Sequence, residues 1–577
     1  MRQKKQDMGA TRRYGFLLAL PLGLAVVGCQ ASVDGNGRNG NGPGSGSASG
    51  VGSGGSAALP PGTSPMSLLP TSIRRLTNLE YENSVRDVVG NAEPVASDFV
   101  PDSRQSGFTV NEAQRVDSVL IKQLSGAAAT LAADVRANLD TAAPCADQMA
   151  GAEACAKSFI QSFATRAFRR PVGDDEAAQL LTLYHAAADG ATYADGIEEV
   201  ASGVLQSAAF LYLTETGGGA SGANIELTPY EVASQMSYLL RASPPSQDLI
   251  AAAVAGKLDT TDGRVQAIQD YGLLGGADPL NRTVRIIREW LGTDQLEDTA
   301  KDTTVYPDFP GLKPAMVAET TDFLNDVVTR RDKGNGTLEQ LLGANWTSTK
   351  DANLAALYDA SGPGSDADDT ILLPKRRGIL NQGAFLSVYA HASETGPVLR
   401  GVAILRRVTC LGVASPATLN ITVVPLVPDP TKSMRERLSG HVTDTVCAGC
   451  HTRIDNLGLT FEIYNGMGKD QFMDSGQPID SSGALTDTTT ELDRSYTDSN
   501  DLAVALSTSP TVRECFARNI FRASSGRSDD TSSSSEDDFV KYWHTQDDVL
   551  PNEQKAGIIN TIIDYIKSPT FALRRTQ

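Results

Sequence analysis

Apolar side chains along most of this chain recur at helical spacing. After Leu76 they return at Tyr81, Val85, Val88 and Val89, which share one helical face. Thr77 and Glu80 stand at the N-cap and N3 positions of that run, a capping box. Leu76 and Tyr81 can form the hydrophobic staple, and Gly90 ends the helix. Thr228-Pro229-Tyr230-Glu231 repeats the start, with Val232, Met236, Leu239 and Leu240 as its stripe. Ala177, Leu180, Leu181 and Tyr184 keep the spacing after Asp174. Glu319 to Arg330 and Ile558 to Ile566 also read as helices. Between Pro478 and Tyr496, weak alternation among Thr, Ser and Asp predicts a small hairpin. Breaks fall at Gly217–Ala223, Gly362–Asp369 and Ser524–Asp538. The pattern predicts a mainly α, multi-domain body.

The N-terminal pattern is different. Arg2, Lys4, Lys5, Arg12 and Arg13 precede an apolar run, Phe16 to Val27, that is too short to span a bilayer comfortably. This reads as a signal peptide. Val26-Val27-Gly28-Cys29 resembles a bacterial lipobox, in which Cys29 becomes the lipidated first residue; the alternative is simple cleavage with Cys29 incidental. Residues 34–65 are almost all Gly, Ser, Asn, Ala and Pro, a composition that buries no core and suits a flexible tether. The expected product is an exported, outer-membrane or cell-surface lipoprotein, held to the membrane by its N-terminal lipid. The net charge is −19, and loss of residues 1–28, with five basic and one acidic side chain, leaves −23. So acidic a body does not suit nucleic-acid binding, and it could steer a basic partner.

Cys447-Ala448-Gly449-Cys450-His451 has the C-x-x-C-H spacing of a covalently attached c-type haem. Two thiols three residues apart can add to the two vinyl groups of one porphyrin, and the next histidine can ligate iron from the proximal side. A zinc ribbon needs a second C-x-x-C pair, which the chain lacks. A thioredoxin-like pair needs a βαβ context that the flanks do not supply. One covalent haem c on Cys447, Cys450 and His451 is therefore expected. Four cysteines remain besides Cys29: Cys145, Cys155, Cys410 and Cys515. In an oxidising compartment they suggest the disulfides Cys145–Cys155 and, by elimination, Cys410–Cys515, against four buried free thiols.

Longer motifs carry a resemblance. Arg75-Leu76-Thr77-Asn78-Leu79-Glu80-Tyr81-Glu82-Asn83-Ser84-Val85-Arg86-Asp87, Phe163-Ala164-Thr165-Arg166-Ala167-Phe168-Arg169-Arg170-Pro171 and Ile454-Asp455-Asn456-Leu457-Gly458 occur in order. The chain resembles multi-module bacterial proteins, first noted in planctomycetes and found also in myxobacteria, that fuse a cytochrome-like haem module to domains of unknown function. With the signal peptide over 1–29 and the tether over 30–69 already read from the residues, the resemblance implies helical modules at 70–140, 141–216 and 225–399. A cytochrome c-like haem module at 400–482 and a C-terminal module at 483–577 follow. Asn456 replaces the proline of an I-D-P-L-G pattern, which implies a less rigid loop below the haem.

The sixth iron position has two candidates. His391 lies in a stretch similar to a family motif that also holds histidine, just before the haem module; the alternative is a histidine hydrogen-bonded in a loop. Met467 follows His451 by 16 residues and would suit electron transfer, although the family has an aliphatic residue there. His441 is better placed to orient the loop or meet a propionate. Arg400, Arg406 and Arg407 are candidates for propionates, against ordinary charge pairs.

Three functions follow. The first is membrane-tethered electron transfer to a redox partner whose identity the sequence does not give. The second is a haem oxidoreductase acting on peroxide or a polysaccharide-related substrate, which needs a displaceable sixth ligand and a distal acid or base. The third is a surface carbohydrate-binding protein with a structural haem, although Trp290, Trp346 and Trp543 suggest no stacking platform. The chain has no G-x-S-x-G, H-E-x-x-H or P-loop motif.

Overall fold

Local capping chemistry starts the helices where the pattern places them. The Thr77 hydroxyl accepts the Glu80 N–H at 3.2 Å, and the Glu80 carboxylate accepts the Thr77 N–H at 2.9 Å. The helix Asn78–Val89 buries Tyr81, Val85 and Val88 and stops at Gly90, whose φ of 78° is left-handed. Thr228 and Glu231 form the same box ahead of the helix Pro229–Arg241. The computed structural model describes residues 68–90, 93–146, 148, 152–218, 224–329, 336–360, 370–414, 416–419, 429–527, 534–568 and 570–575. The signal peptide, Cys29 and the tether up to residue 67 lie outside them, as does the break at Gly362–Asp369.

Among the described residues the architecture is mainly α, with five two-stranded antiparallel sheets. The helices Asp174–Ala188 and Ile558–Lys567 match the apolar stripes. One helix begins earlier than the stripe suggests. It runs over Phe309–Thr329, so Glu319 is interior rather than first. Pro310 sits in the first turn, where a missing N–H has no partner to lose, while Pro314 gives up one interior hydrogen bond. The predicted hairpin is Gly483–Leu485 paired with Arg494–Tyr496. No described helix is long and apolar enough to cross a membrane.

Strand pairing joins distant parts of the chain. Ser72–Arg75 pairs with Tyr212–Glu215, and Leu573–Arg575 pairs with Asn224–Glu226. The Arg575 N–H also donates to the Leu69 carbonyl at 2.9 Å. One apolar cluster gathers Leu76, Tyr81, Leu131, Phe163 and Ile197. A larger one runs through Trp290, Ile404, Leu457, Phe516 and Tyr565, so the segment around Cys447 shares its core with those before and after it. Cys145 is disulfide-bonded to Cys155, and Cys410 to Cys515.

Candidate functional site

The pentapeptide lies on the helix Thr445–Leu459. Asp444 caps it, accepting the N–H groups of Val446 at 2.8 Å and Cys447 at 3.1 Å. Spacings of three and four residues put Cys447, Cys450, His451 and Asp455 on one side of that helix. Cys447 and Cys450 are the free cysteines among the described residues. Partial burial, then the neighbouring Asp444, push the Cys447 thiol up, which keeps it protonated near neutral pH.

Asp455 joins two histidines. Its Oδ1 lies 2.8 Å from His451 Nδ1, and its Oδ2 lies 3.1 Å from His441 Nδ1. The carboxylate is only 2% exposed. An ionised carboxylate can only accept, so both Nδ1 atoms carry hydrogen, and in the neutral imidazole each Nε2 then keeps its lone pair. The two rings stand 4.3 Å apart, centre to centre. His451 to Asp455 is a spacing of four on a helix and could have been read from the sequence. The approach of His441, from the helix Met434–Thr443, could not.

The helix is gripped on both sides by backbone contact. A Cβ on Gly458 would stand 1.8 Å from the Pro397 carbonyl oxygen, and one on Gly401 would stand 2.0 Å from the Ile454 oxygen. Pro397 meets Gly458 and Gly401 meets Ile454, so the helix Pro397–Ala403 crosses in the opposite sense. Gly483 likewise leaves room for the Asn456 carbonyl, at 2.0 Å from a built Cβ. The expected loop at Ile454–Gly458 is helix instead, because Asn456 retains the backbone N–H that proline lacks. Leu399, Val442 and Val446, on the three helices that build this corner, are apolar yet 39–63% exposed.

The other candidates fall in different surroundings. His391 is exposed; its carbonyl and that of Ala390 accept the Lys301 ammonium at 2.8 and 2.9 Å. Burial, then the nearby Arg400 charge, lower that lysine to about 8. Glu394, three residues on, pairs with Arg437 at 2.8 Å, one turn before His441 on the same helix. That pair ties the His391 loop to the His441 helix. Met467 packs with Leu296, Tyr306, Phe309 and Met316 in a cluster that holds none of Cys447, Cys450 and His451. Arg400 is fully buried and donates to the carbonyls of Phe461, Tyr464, Leu386 and Asn465. Arg407 donates to the carbonyls of Glu289 and Trp290, and Arg406 to that of Val413. Backbone carbonyls thus engage all three guanidinium groups; Arg400 also stands 3.6 Å from the Glu462 carboxylate, and Arg406 is exposed.

Two unpaired thiols, an imidazole with its Nε2 free and a rim of exposed apolar side chains form a donor set that fits a covalently held porphyrin. Four family models match the chain in order. PSD3, Protein of unknown function (DUF1587), matches residues 74–137, and PSD5, Protein of unknown function (DUF1595), matches 155–215. PSD4, Protein of unknown function (DUF1592), matches 227–360, and PSCyt3, Protein of unknown function (DUF1588), matches 376–474, the segment that contains the cysteine pair and the His–Asp–His cluster. No curated protein and no solved structure matches the chain. The chain is thus a multi-module protein that carries these four domain families of unknown function in series.

Proposed function

We propose that this chain is an exported, membrane-tethered electron-transfer protein with one haem c, held by thioether bonds to Cys447 and Cys450 and ligated by His451. The observation that carries this reading is the shared helix face. It presents both free thiols and an imidazole whose Nδ1 is already taken by Asp455. The name PSCyt3 hints in the same direction. When bound, the haem supplies an iron that cycles between ferric and ferrous. Cys447 and Cys450 fix the position of the group, Asp455 aims His451, and the crossing at Gly401 and Gly458 keeps the helix from shifting. His391 is the proposed sixth ligand, since Glu394 and Lys301 hold its loop beside the His441 helix. Cys29 is the proposed lipid anchor, and a net charge of −23 after processing would steer a basic redox partner.

The test is expression of the full chain with cytochrome c assembly factors. The wild type should carry pigment that survives denaturation and acidified acetone, and Cys447→Ser with Cys450→Ser should abolish it. A colourless wild type rejects the reading. A low-spin spectrum indifferent to cyanide and CO supports the carrier; ready binding of either ligand transfers the site to oxidoreductase chemistry. Incorporation of labelled fatty acid that is lost in Cys29→Ala tests the anchor.

A further inference from the structure

Beyond the ligand set, the structure holds a buried carboxylate divided between two imidazoles. Each Asp455 oxygen accepts one Nδ1–H, from His451 at 2.8 Å and from His441 at 3.1 Å. The group is nearly withdrawn from water, so its charge is poorly screened. We infer that Asp455 and His441 are an opposed pair of positioning residues that set the donor strength of His451, Asp455 raising it and His441 moderating it. This rests on the haem reading above.

The argument is local. A carboxylate that accepts the far N–H of a metal-bound imidazole fixes its ring and tautomer and raises its basicity. A more basic His451 favours ferric over ferrous iron. His441 draws on the same carboxylate through its other oxygen, so it reduces the charge that His451 feels. His441 sits beside His451, with the ring centres 4.3 Å apart, and donates its Nδ1–H to the same carboxylate. It is therefore assigned a positioning role toward His451, not a place among the residues that would hold the iron.

The two residues therefore predict opposite signs. Asp455→Asn should shift the ferrous/ferric ratio at a fixed ambient potential at least tenfold toward ferrous, a rise of at least 59 mV for transfer of one electron from the mediator. His441→Ala leaves the carboxylate to His451 alone and should shift the ratio toward ferric. The experiment is mediated potentiometric titration of full-length wild type and both variants, with haem per chain counted from the pyridine haemochrome. Opposite shifts at full haem content support the assignment. Shifts of the same sign, or none, overturn it, because a merely structural role has no reason to move the two apart. If Asp455→Asn fails to fold, His441→Ala, at a partly buried position, decides alone: a fall in midpoint supports the pair, and a rise or no change rejects it. Wild type without thioether-bound pigment overturns the underlying haem reading instead, an outcome the haemochrome assay separates from the others.

Discussion

Gly458 receives the carbonyl oxygen of Pro397 in the space where any other residue would carry its Cβ, 1.8 Å from that oxygen. Gly401 gives Ile454 the same access at 2.0 Å. Backbone, not side chain, therefore sets the distance between the helix that carries the cysteine pair and the helix that supports it.

Gly458→Ala should force the two helices apart and cost at least about 1–3 kcal/mol, the range for overpacking. Gly449→Ala is the contrast, because nothing lies within 4 Å of its built Cβ. That change should be neutral or stabilise the helix by up to about 1 kcal/mol. Denaturant midpoints of the three proteins measure both; equal midpoints would show that the crossing tolerates a methyl group.

His391 and Met467 should separate cleanly. Met467 is 5% exposed within its apolar cluster, so Met467→Ala should cost about 2–5 kcal/mol and leave the visible spectrum unchanged. His391 is exposed, so His391→Ala should change stability by less than about 0.5 kcal/mol yet convert a low-spin spectrum to high-spin. A spectral change in the methionine variant and none in the histidine variant would reverse the ligand assignment.

Glu319 should make stability depend on pH. It is fully buried, accepts hydrogen bonds from Thr347 at 2.7 Å and Tyr358 at 2.6 Å, and is pushed up to about 7 by burial. The folded chain then holds a proton that the unfolded chain releases near its ordinary value of 4.5. Folded binds more protons than unfolded between those values, so the group's contribution is full below 4.5 and is lost as pH rises to about 7. Glu319→Gln keeps a neutral side chain throughout. Relative to that variant, the wild type should lose on the order of 3 kcal/mol between pH 4.5 and 7. Parallel unfolding curves across this window would mean that Glu319 stays ionised in the fold.

The two disulfides should differ in weight. Cys410 and Cys515 are 105 residues apart, whereas Cys145 and Cys155 are 10 apart. Loop-closure entropy assigns them about 5 and about 3 kcal/mol. Replacing Cys410 and Cys515 by serine should therefore lower the unfolding midpoint more than the same change at Cys145 and Cys155, and the reverse order would contradict this.

What the sequence revealed, and what it hid, follows from distance along the chain. Thr77 with Glu80 and Thr228 with Glu231 are short-range signals, and each caps a helix where the pattern places it; Cys447 through His451 is as short-range, and it lies on a helix that its spacing alone did not announce. The helix Phe309–Thr329 starts ten residues before Glu319, where the stripe was first read. Ile454–Gly458 looked like a loop because the resemblance supplied a proline that this chain lacks. The contact of His441 with Asp455 spans a turn between helices, and the engagement of Arg400 by four carbonyls needs the packed fold. Neither leaves a periodic trace. Half of what Asp455 does, its contact with His451 one helical turn earlier, was open to reading from the spacing; its second histidine was not.

Leu69 and Arg575 meet at one seam, where the last described strand also completes the sheet begun at Asn224–Glu226. Chain synthesis reaches Arg575 only after every other described part has been made. Leu69 thus waits for the last described strand before its backbone partner exists, whereas Ser72–Arg75 finds its own much earlier, at Tyr212–Glu215. A bulky insertion or a cut beside Arg575 would therefore disturb Leu69, far along the sequence from the residues altered.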